Sequence, residues 1–220
     1  MGGVDSLARW YAERRFAVLF AVLLLAISGH ALVGMLLPMA NPLEWLLGVC
    51  LVAVVLSVRR GRLRWVLYGA AASTVGARLV QPMLDHPAPA FVGQSVFALA
   101  CLLVAGVALR RALTTGPVDG EHIYAALDAY LLVGISFGVV YWLLETALPG
   151  SFATGPAGAL TPQRAIYFSF VTQATLGYGD IAPLGEQVQG LAVAQGVGGQ
   201  MYLVVLVARL VSLYSAQWSR

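Results

Sequence analysis

Apolar residues along this chain gather into long runs, broken by short polar, arginine-rich or proline-containing stretches. A bilayer hydrocarbon core about 30 Å thick needs about 20 apolar residues of helix to cross it. Runs of that order predict spans over Phe16 to Leu37, Leu43 to Val58, Trp65 to about Val80, and Phe91 to Leu109. Two more follow, over about Ala129 to Leu148 and about Val188 to Tyr214. Pro38 and Asn41-Pro42 end the first span, and Arg59-Arg60-Gly61-Arg62-Leu63-Arg64 follows the second as a loop. Pro82, Pro87 and Pro89 break the third, and Arg110-Arg111 closes the fourth. The first run is too long for a signal peptide core, and no small-residue cleavage site follows it. A polar connector, Thr114 to Asp119, carries the turn signal Gly116-Pro117. Glu121 to Asp128 has helical spacing with mixed polarity and reads as an interfacial helix leading into the fifth span.

Between the fifth and sixth spans lies a stretch that is neither a clean loop nor a span. Thr161 is a good N-cap and Pro162 a good first helical residue. They predict a short apolar helix from Pro162 to about Ala174, two to three turns long and too short to cross. It enters the membrane and stops partway. The glycine-rich Thr175-Leu176-Gly177-Tyr178-Gly179-Asp180 follows, read as extended, and Pro183 and Gly185 lead into the sixth span. Non-helical backbone at membrane depth survives only where protein buries it or water lines it. The segment 175–179 is therefore expected to line a cavity. Gly177 and Gly179 permit backbone angles that aim successive carbonyls one way. The negative pole of the half-helix ends near them, and Thr175 adds a hydroxyl. All of this favours a cation.

Composition supports the same picture. Hydrophobic residues make up 60% and charged residues 10% of 220, against roughly 25% charged in a soluble domain. That excludes an ordinary soluble enzyme and a disordered chain. All thirteen basic residues are Arg, placed between apolar runs where orientation charges belong, so the pI of about 9.1 does not point to nucleic acid. With the N-terminus inside, eleven of the thirteen fall on the cytoplasmic side, leaving Arg78 and Arg164 outside. The outer acids are then Glu44, Asp85, Glu145, Asp180 and Glu186. Cys50 and Cys101 lie in apolar runs and read as small hydrophobes.

The hexapeptide Thr175 to Asp180 resembles the potassium-channel selectivity filter. The wider stretch Tyr167 to Thr172 and Asp180-Ile181-Ala182-Pro183, with Tyr141 to Glu145 before and Leu206 to Val211 after, resembles the bacterial two-helix pore-domain branch. The resemblance covers about Glu121 to Tyr214. It implies K+ coordinated at Thr175, Leu176, Gly177 and Tyr178, with Gly179 completing the filter. One filter segment per chain implies a homotetramer. Departures are Leu176 where Val or Ile is usual, Ala174 where many relatives carry Thr, and Gln173. Val171 stands where some channels place a glutamate behind the filter, which bears on inactivation more than on selectivity.

The expectation is thus an all-α integral membrane protein. It has six transmembrane helices, with a re-entrant pore helix and extended filter between the fifth and sixth, assembled as a tetramer. Its parts are a cytoplasmic segment 1–15, a four-helix membrane domain 16–111, a linker 112–128, a pore domain 129–214 and a cytoplasmic tail 215–220. Both termini face the cytoplasm of a multi-pass inner (plasma) membrane protein. The function expected is passive K+ conduction. The partners are its own copies, the bilayer and K+, with no nucleic acid, no enzymatic role and no cofactor beyond K+ ions in the filter. A non-selective cation channel or a channel-related transporter subunit is the alternative. The fourth span carries no charge, which argues against voltage sensing, and no cytoplasmic ligand-sensing domain is expected. Asp180 and Glu186 would concentrate cations at the outer mouth; Glu145 would do so too, or brace the filter backbone. Gly199, with Gly198 and Gly196, is either a gating hinge or a close-packing site. Gln195 and Gln200 either line the pore or bond between helices.

Overall fold

The computed structural model describes residues 14–36, 62–84, 88–114 and 119–218. The expected second span, Leu43 to Val58, lies outside them. Six α-helices make up nearly all of the rest: α1 Arg15–Leu36, α2 Arg62–Leu84, α3 Ala88–Ala112, α4 Gly120–Ala147, α5 Pro162–Gln173 and α6 Glu186–Trp218. Between α4 and α5 lie strand β1, Phe152–Ala153, and a 3-10 turn, Gly155–Ala157. Strand β2, Ala182–Pro183, precedes α6. Among the described residues, Phe91–Ala112, Gly120–Ala147 and Glu186–Arg209 are long and apolar enough to cross a membrane.

Four boundaries differ from expectation. Helix α2 begins at Arg62, inside the arginine cluster taken as a loop, and runs through Pro82 to Leu84. Proline in a last turn removes one helical bond with only two residues left to follow, so the helix tolerates it. Pro89 falls in the first turn of α3, where its missing N–H has no helical partner to lose. The interfacial helix and the fifth span are one element, α4.

That continuity has a cause at the start of α4. Asp119 is the N-cap, its Oδ1 accepting from the His122 backbone N–H at 3.1 Å and meeting His122 Nδ1 at 2.6 Å. Partial desolvation works against the Asp119 carboxylate. The His122 hydrogen bonds and the His122 and Arg111 charges outweigh it and hold the carboxyl below its ordinary value. One residue on, the Glu121 carboxylate accepts from the backbone N–H groups of Phe16 (3.0 Å) and Ala17 (3.3 Å). Those are orphan donors in the first turn of α1, so α4 caps α1 across more than a hundred residues.

Helix α4 is the hub, packing against α1, α3, α5 and α6. Its face bearing Leu132, Ile135, Val139 and Leu143 closes a core with Leu19 and Leu23 of α1, Leu67 of α2 and Phe97, Cys101 and Val104 of α3. Its opposite end feeds a second core. There Tyr141, Phe152 and Phe168 meet edge-to-face, with centroids 5.0–5.8 Å apart.

Candidate functional site

Helix α5 starts as its sequence dictates. Thr161 Oγ1 accepts from the Arg164 backbone N–H at 3.3 Å, and Pro162 opens the first turn. The helix docks on α4 at two glycines one turn apart. A Cβ on Gly134 would lie 2.5 Å from the Phe170 ring, and one on Gly138 would lie 2.6 Å from Ile166 Cα. At Gly138 the atoms met include Ile166 backbone, so this GxxxG pair sets how closely α5 approaches α4.

The other end of α5 turns into the glycine-rich segment. Leu176 N–H donates to Val171 O (2.9 Å) and Thr175 N–H to Thr172 O (3.1 Å). This is a Schellman closure, with Thr175 in the left-handed position where glycine is usual (φ 56°). A β-branched residue there is an outlier. From Thr175 onward left-handed φ recurs at every second residue, at Gly177 (62°) and Gly179 (79°), while Leu176 and Tyr178 keep negative φ. Leu176 and Tyr178 are 56% and 66% exposed in the single chain. The Tyr178 ring lies parallel to that of Tyr167 on α5, centroids 6.4 Å apart, and Tyr167 also interacts with the Asp180 carboxylate.

Both flanks of the half-helix are pinned. β1 and β2 pair antiparallel, Phe152 opposite Pro183 and Ala153 opposite Ala182, tying the chain before α5 to the chain after Asp180. Glu145 accepts from Gly150 N–H (3.0 Å) and Phe152 N–H (3.2 Å). Glu145 thus braces the loop ahead of α5 rather than residues 175–179. Arg164 donates to the carbonyls of Thr154, Gly158 and Ala159. Asp180 and Glu186 are exposed, Glu186 in the first turn of α6.

Behind the segment lies a buried polar cluster whose members the sequence left unassigned. Gln173, the last residue of α5, is 1% exposed, and Gln195 of α6 is 3% exposed. Gln195 Nε2 donates to Gln173 Oε1 (3.1 Å) and Ser169 Oγ (2.7 Å), while its Oε1 accepts from Tyr141 OH (2.8 Å). Gln173 Nε2 donates to Tyr130 O (2.8 Å), and Ser169 Oγ to Gly134 O (2.6 Å). Gln200 Nε2 reaches Gln173 O at 3.4 Å. Gln195 and Gln200 therefore bond between helices. Of the glycines, Gly199 is packed hard, since its Cβ would lie 2.7 Å from Gln173 O; Gly196 is close to Thr172 O, and Gly198 is open. The helix continues unbroken through all three. The signals for this cluster in the sequence are the unusual Gln173 and the run Gln195-Gly196-Val197-Gly198-Gly199-Gln200.

Residues 129–216 match the family model described as "Ion channel". Within the chain this segment takes in most of α4, all of α5, the glycine-rich stretch and nearly all of α6. A curated rice protein, "Two pore potassium channel c" of Oryza sativa subsp. japonica, is 35% identical over 92 residues. That alignment is 41% of this chain and 18% of the rice protein. "Protein LctB" of Bacillus caldotenax is 24% identical over 106 residues, 46% of this chain and 78% of that protein. The chain thus spans under a fifth of the rice relative. No solved structure gives a significant match. The chain thus combines three helices of spanning length among the described residues with a stretch, 129–216, that is similar to ion-channel domains.

Proposed function

We propose that four copies of this chain assemble around residues 175–179 as a potassium-selective channel. The observation that carries the reading is the alternation of left-handed and negative φ from Thr175 to Gly179. In a β-strand successive carbonyls point to opposite sides. When every second residue is left-handed the peptide planes turn alike, and the carbonyls share one side of the chain. Four such rows facing an axis supply rings of oxygen that replace the hydration shell of K+. Thr175, Leu176, Gly177 and Tyr178 are the assigned ligands, with Gly179 above them and Asp180 and Glu186 at the outer entrance. The negative end of α5 adds to the attraction. The apolar face of α6 at Val193, Val197, Met201 and Val204, 55–68% exposed in the single chain, is available to neighbouring copies.

The remaining assignments rest on the sequence: six spans, both termini cytoplasmic in the plasma membrane, and gating other than by voltage, since α3 carries no charge between Phe91 and Leu109. The test is ion flux from liposomes holding the purified chain. K+ efflux well above Na+ efflux, blocked by barium, is the expected result. Equal K+ and Na+ fluxes would leave a non-selective channel, and flux without resolvable single-channel currents would leave a transporter.

A further inference from the structure

We infer that the amide pair Gln173–Gln195 is a positioning element that ties the conducting shape of the filter to the placement of α6. The inference rests on the channel reading above and names a control on that same site.

Helix α6 approaches the last turn of α5 almost backbone to backbone. Gly199 permits this, since any side chain there would strike Gln173 O, and Gly196 sits beside Thr172 O. The two residues flanking this Gly-x-x-Gly stretch are glutamines, and both reach back to α5. Gln195 holds Gln173 by its side chain and Gln200 holds it by its carbonyl. Gln173 is in turn fixed to α4 on two sides, donating to Tyr130 O and accepting from Tyr130 OH at its own carbonyl (3.3 Å). Gln195 reaches α4 separately through Tyr141 OH.

Every polar arm of this pair is therefore spent on three different helices at a site excluded from water. There a broken hydrogen bond finds no replacement. Gln173 stands two residues before Thr175, the first left-handed residue of the filter. The carbonyls that close the Schellman turn, on Val171 and Thr172, precede it directly. A movement of α6 at residues 195–200 thus either carries the end of α5 with it or breaks amide bonds inside the protein. Either event changes the point at which the filter leaves its helix.

The test is planar-bilayer recording of the full chain carrying Gln195→Leu, Gln173→Leu, both together, or Tyr141→Phe. Size-exclusion chromatography of each variant confirms assembly. Each leucine variant is expected to shorten the mean open dwell about tenfold, the factor that a lost buried hydrogen bond of about 1.4 kcal/mol carries. Single-channel conductance should be unchanged, because the carbonyl row is untouched. The double variant should fall short of the product of the two single effects, because the bond from Gln195 Nε2 to Gln173 Oε1 is lost in both. Raising external K+ should lengthen the variants' dwells more than the wild type's, which a general loss of stability would not produce. Tyr141→Phe removes one arm only and should show the same effect more weakly; with Gln195→Leu it carries the test if Gln173→Leu does not assemble. Unchanged dwells in assembled variants, or multiplicative effects in the double variant, would overturn the coupling while leaving a selective wild-type channel standing. Absence of selective current in the wild type would instead overturn the channel reading itself.

Discussion

Alanine at Gly138 is the sharpest probe of how α5 is seated. A Cβ there would lie 2.6 Å from Ile166 Cα, 2.7 Å from Ile166 Cγ1 and 3.1 Å from Ile166 N. Ordinary contact begins at 3.4 Å, so the approach is about 0.8 Å too close, and two of the three atoms are backbone that no rotamer change can move. Helix α5 itself must lift away from α4. A lift of that size takes the 2.8 Å bond from Gln173 Nε2 to Tyr130 O past the useful range. Overpacking costs about 1–3 kcal/mol and the weakened bond about 1 kcal/mol. Alanine's better helix propensity returns about 1 kcal/mol. The net expectation for Gly138→Ala is a loss of ~1–3 kcal/mol. Gly106→Ala in α3 is the control: nothing lies within 4 Å of its Cβ, so the propensity gain should show alone. Gly134→Ala falls between, because the atoms it meets belong to the Phe170 ring, which can swing. Unfolding by SDS in mixed micelles, followed by circular dichroism, gives the order. Gly138→Ala as stable as Gly106→Ala would refute the seating of α5 on this glycine pair.

Four further outcomes are expected. The cap at Asp119 is held by a carboxylate whose value is lowered in the folded state. Its contribution is full above the unfolded carboxylate value of about 3.9 and is lost as pH falls through the lower folded value; Asp119→Asn should flatten that acid limb of a stability–pH curve. Glu121→Ala should cost about 1 kcal/mol, and Glu121→Gln less, because the amide oxygen can still accept from Phe16 N–H and Ala17 N–H; amide exchange at the start of α1 reports it. Both carboxyl oxygens of Asp128 are buried without a hydrogen-bond partner among the described residues, so Asp128→Leu should raise stability by about 1–3 kcal/mol, and a fall would show that the carboxyl has a partner. Thr175→Ser keeps the hydroxyl and removes the β-branch at φ 56°, so it should be as stable as wild type or up to about 1 kcal/mol more stable, with K+ over Na+ flux preserved.

What the sequence made legible was whatever local periodicity or local capping determines. The runs at Phe16, Phe91 and Val188 became helices within a few residues of their expected ends, and the run at Ala129 ended at Ala147 but belongs to a helix that begins at Gly120. Thr161-Pro162 opened α5 where such a pair should, and the glycines at 177 and 179 used the backbone freedom noted for them by taking left-handed angles. Boundaries failed where a rule about single residues met its exception. Pro82 sits in a last turn, and Arg62 begins a helix despite lying in an arginine cluster. The site's supports were not legible because each is a choice among distant partners. Glu145 reads from the sequence as a mouth acid or a brace of the filter backbone, and only the fold brings the Gly150 and Phe152 N–H groups of its own loop within reach. Gln173 and Gln195 meet across 22 residues of chain because Gly199 and Gly134 let three helices close together, a convergence that no period of 3.6 encodes.

The same contrast bears on how the segment 175–179 acquires its shape. Its entry is fixed within the chain by the Schellman bonds of Thr175 and Leu176. Its exit is fixed by the pairing of Ala182 and Pro183 with β1. Between these points, among the described residues, no hydrogen bond joins the backbone of Gly177, Tyr178 or Gly179 to the rest of the chain. Tyr178 is held through its ring against Tyr167. A segment fixed at both ends, unpaired in the middle and half exposed is costly at membrane depth, where backbone groups must find partners. On the tetrameric reading the carbonyls face ions and the exposed side chains face adjacent copies. The filter is then completed by assembly and by its own substrate, and the chain contributes the two clamps and the amide-braced helix ahead of the first.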